Sequence, residues 1–111
     1  MSAPADGPGS GRGDRPLREY LVTMEVVDVD GVPPGELEAL RAAESRRAGE
    51  LAAAGTLVRL WRPAGTGWRN VGLWRAEDDA ALEAALASLP FAPHLRTRVE
   101  PLAAHPNDPG R

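Results

Sequence analysis

Three features of this sequence could do chemistry: a carboxylate set among leucines, a run of arginines around a tryptophan, and an asparagine between two tryptophans. The carboxylate is Glu44. In "GELEALRAAESRRAGELAAAG", Gly35 to Gly55, apolar side chains recur at Leu37, Leu40, Ala48 and Leu51. At ~100° per residue these positions and Glu44 fall within about 80° of one another on a helix. Glu44 therefore lies near the centre of the face that must pack on the rest of the protein. An isolated ionised carboxylate in an apolar interior is costly, so it must be paired, protonated or lining a pocket. Arg41 and Arg47 are within reach for pairing. Ala48 and Ala52 are small and leave room for a cavity, where a carboxylate of raised pKa is suited to general-base work.

The second feature is "VRLWR", with Arg59 and Trp61 on one face of a strand and Arg62 on the other. An arginine facing inward can clamp an anionic substrate with a bidentate fork; one facing outward is solvated or bridges to a second copy. The third is "WRNVGLWRA", in which Trp68, Asn70, Gly72 and Trp74 share a face. Two rings, an amide and a missing side chain can wall a pocket, and the same rings can fill a core or an interface. The pattern leaves open which face meets the helices.

The elements that would position these residues follow from the periodicity. "REYLVTMEVVDV" alternates and predicts a strand, with Tyr20, Val22, Met24 and Val26 on one side. "DGVPPG" breaks the chain and starts a helix that ends at Gly55. "TLVRLWRP" and "WRNVGLWRA" predict two strands joined by the turn "AGTG". "EDDAALEAALASLP" predicts a second helix with acidic capping and a stop at Pro90. "HLRTRVEPL" predicts a last strand. The order β-α-β-β-α-β is the ferredoxin-like α+β pattern, an antiparallel sheet with both helices on one face. The uncovered face, and large apolar residues on both sides of the second strand, predict a homodimer built sheet against sheet, a dimeric α+β barrel. Residues 1–16 are rich in Gly, Pro and Ser and are expected to form a disordered tail. The domain spans 17–107, and 108–111 form a short end. Arg12-Gly13-Asp14 matches an adhesion tripeptide and is read as chance, since the chain has no secretion signal.

The 111 residues carry a net charge of −3, 42% hydrophobic residues and no cysteine. That charge offers no footprint for nucleic acid. Disulfides, thiolate metal sites and a Cys nucleophile are excluded, and the two histidines, His94 and His105, are too far apart in sequence to predict a metal site. No apolar run nears the ~18 residues of a membrane span. The expectation is a soluble, cytoplasmic protein.

Several runs together resemble the muconolactone isomerase family: "LVTMEV", the helix with "AAE" at its centre, "GTLVRLWR", and "SLPFAPHLRTRVEPLAAHP". The resemblance covers about Tyr20 to Asn107. It implies a ferredoxin-like fold in dimers or larger rings and a cofactor-free shift of a lactone double bond, as in aromatic-compound catabolism by the β-ketoadipate route. In that chemistry a carboxylate takes a proton from one ring carbon and returns it to another through a dienolate. The family's base falls on Glu44 and its third-strand asparagine on Asn70; Trp61, Arg62, His105 and Pro106 match directly. The resemblance thus implies Glu44 as catalytic residue, and Arg59, Trp61, Arg62, Asn70 and His105 as residues that bind an anionic lactone. The chain departs from the family where Arg59 replaces a histidine, Ser45 a lysine and His94 a ring after "L-P-x-x-P". These departures lie near the presumed pocket, so they bear on the substrate more than on the fold. The same scaffold also admits an isomerase, cyclase or cofactor-free oxygenase of secondary metabolism, or a small-molecule binding module in which Glu44 is only salt-bridged.

Overall fold

The structure is a computed structural model and describes residues 16–65 and 67–110. Apart from the exposed Pro16, the expected N-terminal tail lies outside the described residues. The first strand, β1 (Arg18–Val26), alternates as expected and buries Tyr20, Val22 and Met24. Helix α1 (Pro34–Ala53) begins with a proline at its first turn, where the missing N–H costs no hydrogen bond. It ends in a Schellman arrangement: Thr56 N donates to Leu51 O (2.9 Å) and Gly55 N to Ala52 O (3.0 Å). That geometry requires the left-handed φ of +83° at Gly55, which a residue without Cβ adopts freely.

Strands β2 (Leu57–Trp61) and β3 (Arg69–Ala76) follow, then α2 (Asp79–Ala87), a 3₁₀ turn (Ala92–His94) and β4 (Leu95–Leu102). The Asp78 carboxylate caps α2 by accepting from Ala81 N at 2.8 Å. The strand order is β2-β3-β1-β4, antiparallel throughout. This is the α+β ferredoxin-like arrangement expected from the order of elements.

Register decides which residues face the helices. Tyr20, Val22 and Met24 stand opposite Trp74, Gly72 and Asn70. The buried core runs along this face: Tyr20, Val22, Met24, Leu57, Trp74 and Ala76 from the sheet, with Leu51 of α1 and Leu82 and Leu89 of the α2 region. Strand β2 contains an irregularity. Leu57 pairs with Trp74, but Arg59 pairs with Leu73, so Val58 is the extra residue of a bulge. The bulge puts Leu57 and Leu60 on the helix side, while Arg59 and Trp61 fall on the outer side with Leu73 and Val71. No described element covers that outer side. Leu21, Val71 and Leu73 are half-buried there, and Trp61 and Leu102 are both 43% exposed. Among the described residues, no helix is long and apolar enough to cross a membrane.

Candidate active site

Where α1 crosses the β2–β3 end of the sheet, the core gives way to a cavity of about 700 Å³. Arg41, Glu44 and Ser45 border it from α1, Leu60, Trp61 and Arg62 from β2 and its end, Trp68 from just before β3, Asn70 from β3, and Phe91 from the segment after α2. Behind it the core closes, with Ala48 packed against the buried cluster and Gly72 covered by Trp74. A Cβ at Gly72 would lie 2.7 Å from Trp74 Nε1 and 3.3 Å from Leu60 Cδ1, so the indole occupies the space a side chain would need.

Glu44 is half-buried midway along the inner stripe of α1, seven residues from both Leu37 and Leu51. Its Oε1 accepts a hydrogen bond from Phe91 N at 3.0 Å. Burial pushes its carboxyl above the usual value of 4.5, and the Phe91 N–H works against that rise by favouring the charged form. Neither arginine within reach neutralises it. Arg47 donates to Ser88 Oγ and Glu50 Oε1, both at 2.9 Å. Arg41 lies over the Trp68 ring, 4.1 Å from its centroid. The result is a partly desolvated carboxylate with one oxygen anchored and no cation from the described residues attached, in a cavity wide enough for a small ring.

Asn70 faces the same cavity. Its Oδ1 is buried without a hydrogen-bond partner among the described residues, so the carboxamide is not tied down within the fold. Arg62 also borders the cavity and makes no ion pair with any described residue. A second concavity of about 660 Å³ lies at the opposite end of β1. Its Arg75 is already committed to Glu19 at 3.0 Å, so its charge is satisfied within the fold.

Of the six residues expected from the sequence, the fold thus brings Glu44, Trp61, Arg62 and Asn70 to one cavity. Trp61 borders it from the sheet edge, with the Arg59 guanidinium 5.0 Å from its ring centroid. The other two, Arg59 and His105, lie away from that cavity within the single chain. Arg59 stands opposite Leu73 on the outer face, because the Val58 bulge sets the parity of β2. His105 follows β4, which borders the cavity at Leu95 and runs away from it to Leu102 beside Glu19. Eight strand residues cover roughly 25 Å, so His105 lies at the far end of the sheet, where its Nδ1 accepts from Asn107 N at 3.0 Å. His94 is a structural residue: its Nδ1 donates to the Asp28 carbonyl at 3.2 Å.

Sequence reasoning missed Phe91 and the true disposition of Arg41. The Phe91 contact joins residues 47 apart and is made by a backbone amide, which leaves no side-chain signal. Arg41 was visible by its spacing from Glu44, but that spacing predicts an ion pair and not the stacking observed. Among the described residues, no group of three or more His, Asp or Glu is placed to hold a metal ion.

Comparison with known proteins agrees with this architecture. The muconolactone delta-isomerase family profile matches residues 18–108. The muconolactone delta-isomerase of Cupriavidus pinatubonensis is 30% identical over 88 residues, covering 79% of this chain and 95% of that protein. The crystal structure of muconolactone isomerase at 3.3 Å resolution superposes with a TM-score of 0.77 at 29% identity, over 84% of this chain and 96% of its own. A solved variant of Rv3291c superposes with a TM-score of 0.53 at 15% identity, covering 97% of this chain and 65% of its own, a likeness of fold alone. The match over the whole domain, in sequence as well as in fold, places this chain in the muconolactone delta-isomerase family.

Proposed function

We propose that this chain is a cofactor-independent isomerase that moves a carbon–carbon double bond in an unsaturated, carboxylate-bearing lactone of the muconolactone type. The observation that carries this reading is Glu44: a carboxylate without an ion-pair partner among the described residues, raised in pKa by burial, lining the same cavity as the Asn70 carboxamide. A ring C–H at the γ position of a conjugated lactone is a weak acid, so its removal needs a base poised near neutrality and a donor for the oxygen that gains charge.

In this mechanism the free Glu44 oxygen takes a proton from one ring carbon. The C–H electron pair passes through the conjugated system to the lactone carbonyl oxygen, giving a dienolate. The Asn70 N–H₂ donates to that oxygen as its charge develops. Protonated Glu44, still held through Oε1 by Phe91 N–H, returns the proton to the ring carbon α to the carbonyl, and the electron pair on oxygen re-forms the C=O bond. No atom is gained or lost. Arg62 holds the carboxylate of the substrate, and Trp61 borders the ring. The 111 residues include no lysine, so no side-chain amine is present to form an imine with the carbonyl. Direct enolisation by a carboxylate is the route these residues can support.

The test is incubation of the protein with muconolactone, followed by ultraviolet absorbance as the conjugation changes. Turnover by wild type is expected; absence of turnover on muconolactone and on related unsaturated lactones would sink the reading. We also infer that two copies associate through the outer sheet face, where Leu21, Val71 and Leu73 form an apolar centre with no described element over it.

A further inference from the structure

Arg41 is spaced to pair with Glu44 and does not. Residues three apart on a helix are neighbours, with about 5–6 Å between Cβ atoms. An arginine there would ordinarily close on the carboxylate and hold it ionised. Instead its guanidinium lies over Trp68, 4.1 Å from the ring centroid, and forms no ion pair with any described residue. Stacking occupies the flat face of a guanidinium and leaves its N–H groups free in the plane. A free in-plane fork is the geometry that takes a carboxylate through two parallel hydrogen bonds.

The platform under Arg41 is braced. The Trp68 ring meets Phe91 edge-on, with centroids 6.5 Å apart and planes at 77°. Phe91 meets His94 in the same manner at 6.4 Å, and His94 Nδ1 is tied to the Asp28 carbonyl. A cation resting on a fixed ring has less rotamer freedom to lose when a ligand binds. Phe91 also supplies the N–H that anchors Glu44. One short segment therefore sets the position of both the carboxylate and the platform of the cation.

We propose that Arg41, seated on Trp68, is a specificity-determining residue that grips the carboxylate of a flat anionic ligand, and that the stacking keeps this cation off Glu44. It adds a helix-side grip to Arg62 on the strand side. The second half of the proposal rests on Glu44 being the base; the first half does not.

The test uses the full chain and four probes: the saturated lactone acetate, which cannot isomerise, its methyl ester, benzoate and benzamide. Binding is read from the Trp68 indole N–H signal by NMR in wild type, Arg41→Gln and Arg41→Lys. Arg41 is exposed on its helix, so these variants keep the core intact. The carboxylate probes should bind roughly 10- to 100-fold more weakly to Arg41→Gln, the scale of one lost charge-assisted contact. The neutral probes should be unaffected, and Arg41→Lys should recover part of the loss. Equal weakening of charged and neutral probes, or no weakening, overturns the proposal and leaves the isomerase reading standing if wild type turns over muconolactone. Binding of benzoate but not of the lactone acetate keeps the grip and removes the lactone. Wild type that binds neither carboxylate overturns the grip outright. In Trp68→Leu the released Arg41 should move the Glu44 carboxyl titration to lower pH, and Trp68→Leu with Arg41→Gln should restore it. An unmoved titration in Trp68→Leu overturns the second half.

Discussion

Replacing Glu44 by glutamine keeps the side-chain volume and an oxygen that can accept from Phe91 N, so the anchor seen at 3.0 Å survives. The change removes one thing, the basic oxygen facing the cavity. The other polar side chains bordering it, Arg41, Ser45, Arg62, Arg69 and Asn70, cannot take a proton near neutral pH. A positioned general base contributes about 10²–10⁴ in rate, so kcat on muconolactone should fall by about that factor while KM changes little. In wild type, kcat/KM should rise with pH along a limb centred above 4.5, because burial lifts the carboxyl more than the Phe91 N–H lowers it. The same substitution has a stability consequence of definite sign. Below pH 4.5 the carboxyl is neutral both folded and unfolded, and burial costs nothing extra. As pH rises towards the raised folded value, the unfolded chain releases a proton that the folded chain retains, and wild type loses stability. Glu44→Gln should therefore melt above wild type at pH 7.5, with the gap closing by pH 4, in the direction expected when activity is traded for stability. The assays are initial rates by absorbance across pH 4–8 and thermal melts at the two pH values. A variant that retains more than a tenth of wild-type kcat, or an acid limb at or below 4.5, would refute the argument.

Three other outcomes are expected. Gly72→Ala forces a methyl against Trp74 Nε1 at 2.7 Å, and the fully buried indole must move; urea unfolding should show a loss of about 1–3 kcal/mol. Asp78→Ala removes the cap on Ala81 N and should cost about 1 kcal/mol in the same measurement. Leu73→Arg places a charge at the centre of the uncovered sheet face and should shift the protein to the monomer in analytical ultracentrifugation, with the fold retained by circular dichroism; an unchanged sedimentation coefficient would place the interface elsewhere.

Much of the fold was legible because its signals are local. Alternation marks β1, the prolines at 33 and 34 start α1, and Gly55 ends it because only a left-handed residue closes the Schellman pair. The carboxylate at 44 was legible for the same reason: helical spacing alone places it on the inner stripe. The residues around it were less so. Arg59 and Arg62 differ by three positions, and only the bulge at Val58 decides which one reaches the cavity. A bulge is a property of strand pairing and leaves no mark in "TLVRLWRP".

The sequence by itself determined the order of elements, the stripe that carries Glu44 and the shared face of Trp68, Asn70, Gly72 and Trp74, since each follows from backbone periodicity within one segment. Only the tertiary structure decided what Glu44 meets. The Phe91 amide arrives from 47 residues away, Arg41 is drawn off to Trp68, and the direction of β4 carries His105 to the far end of the sheet. Those outcomes depend on how separate segments approach in space, and such approaches are set by packing and register that no single stretch of chain records.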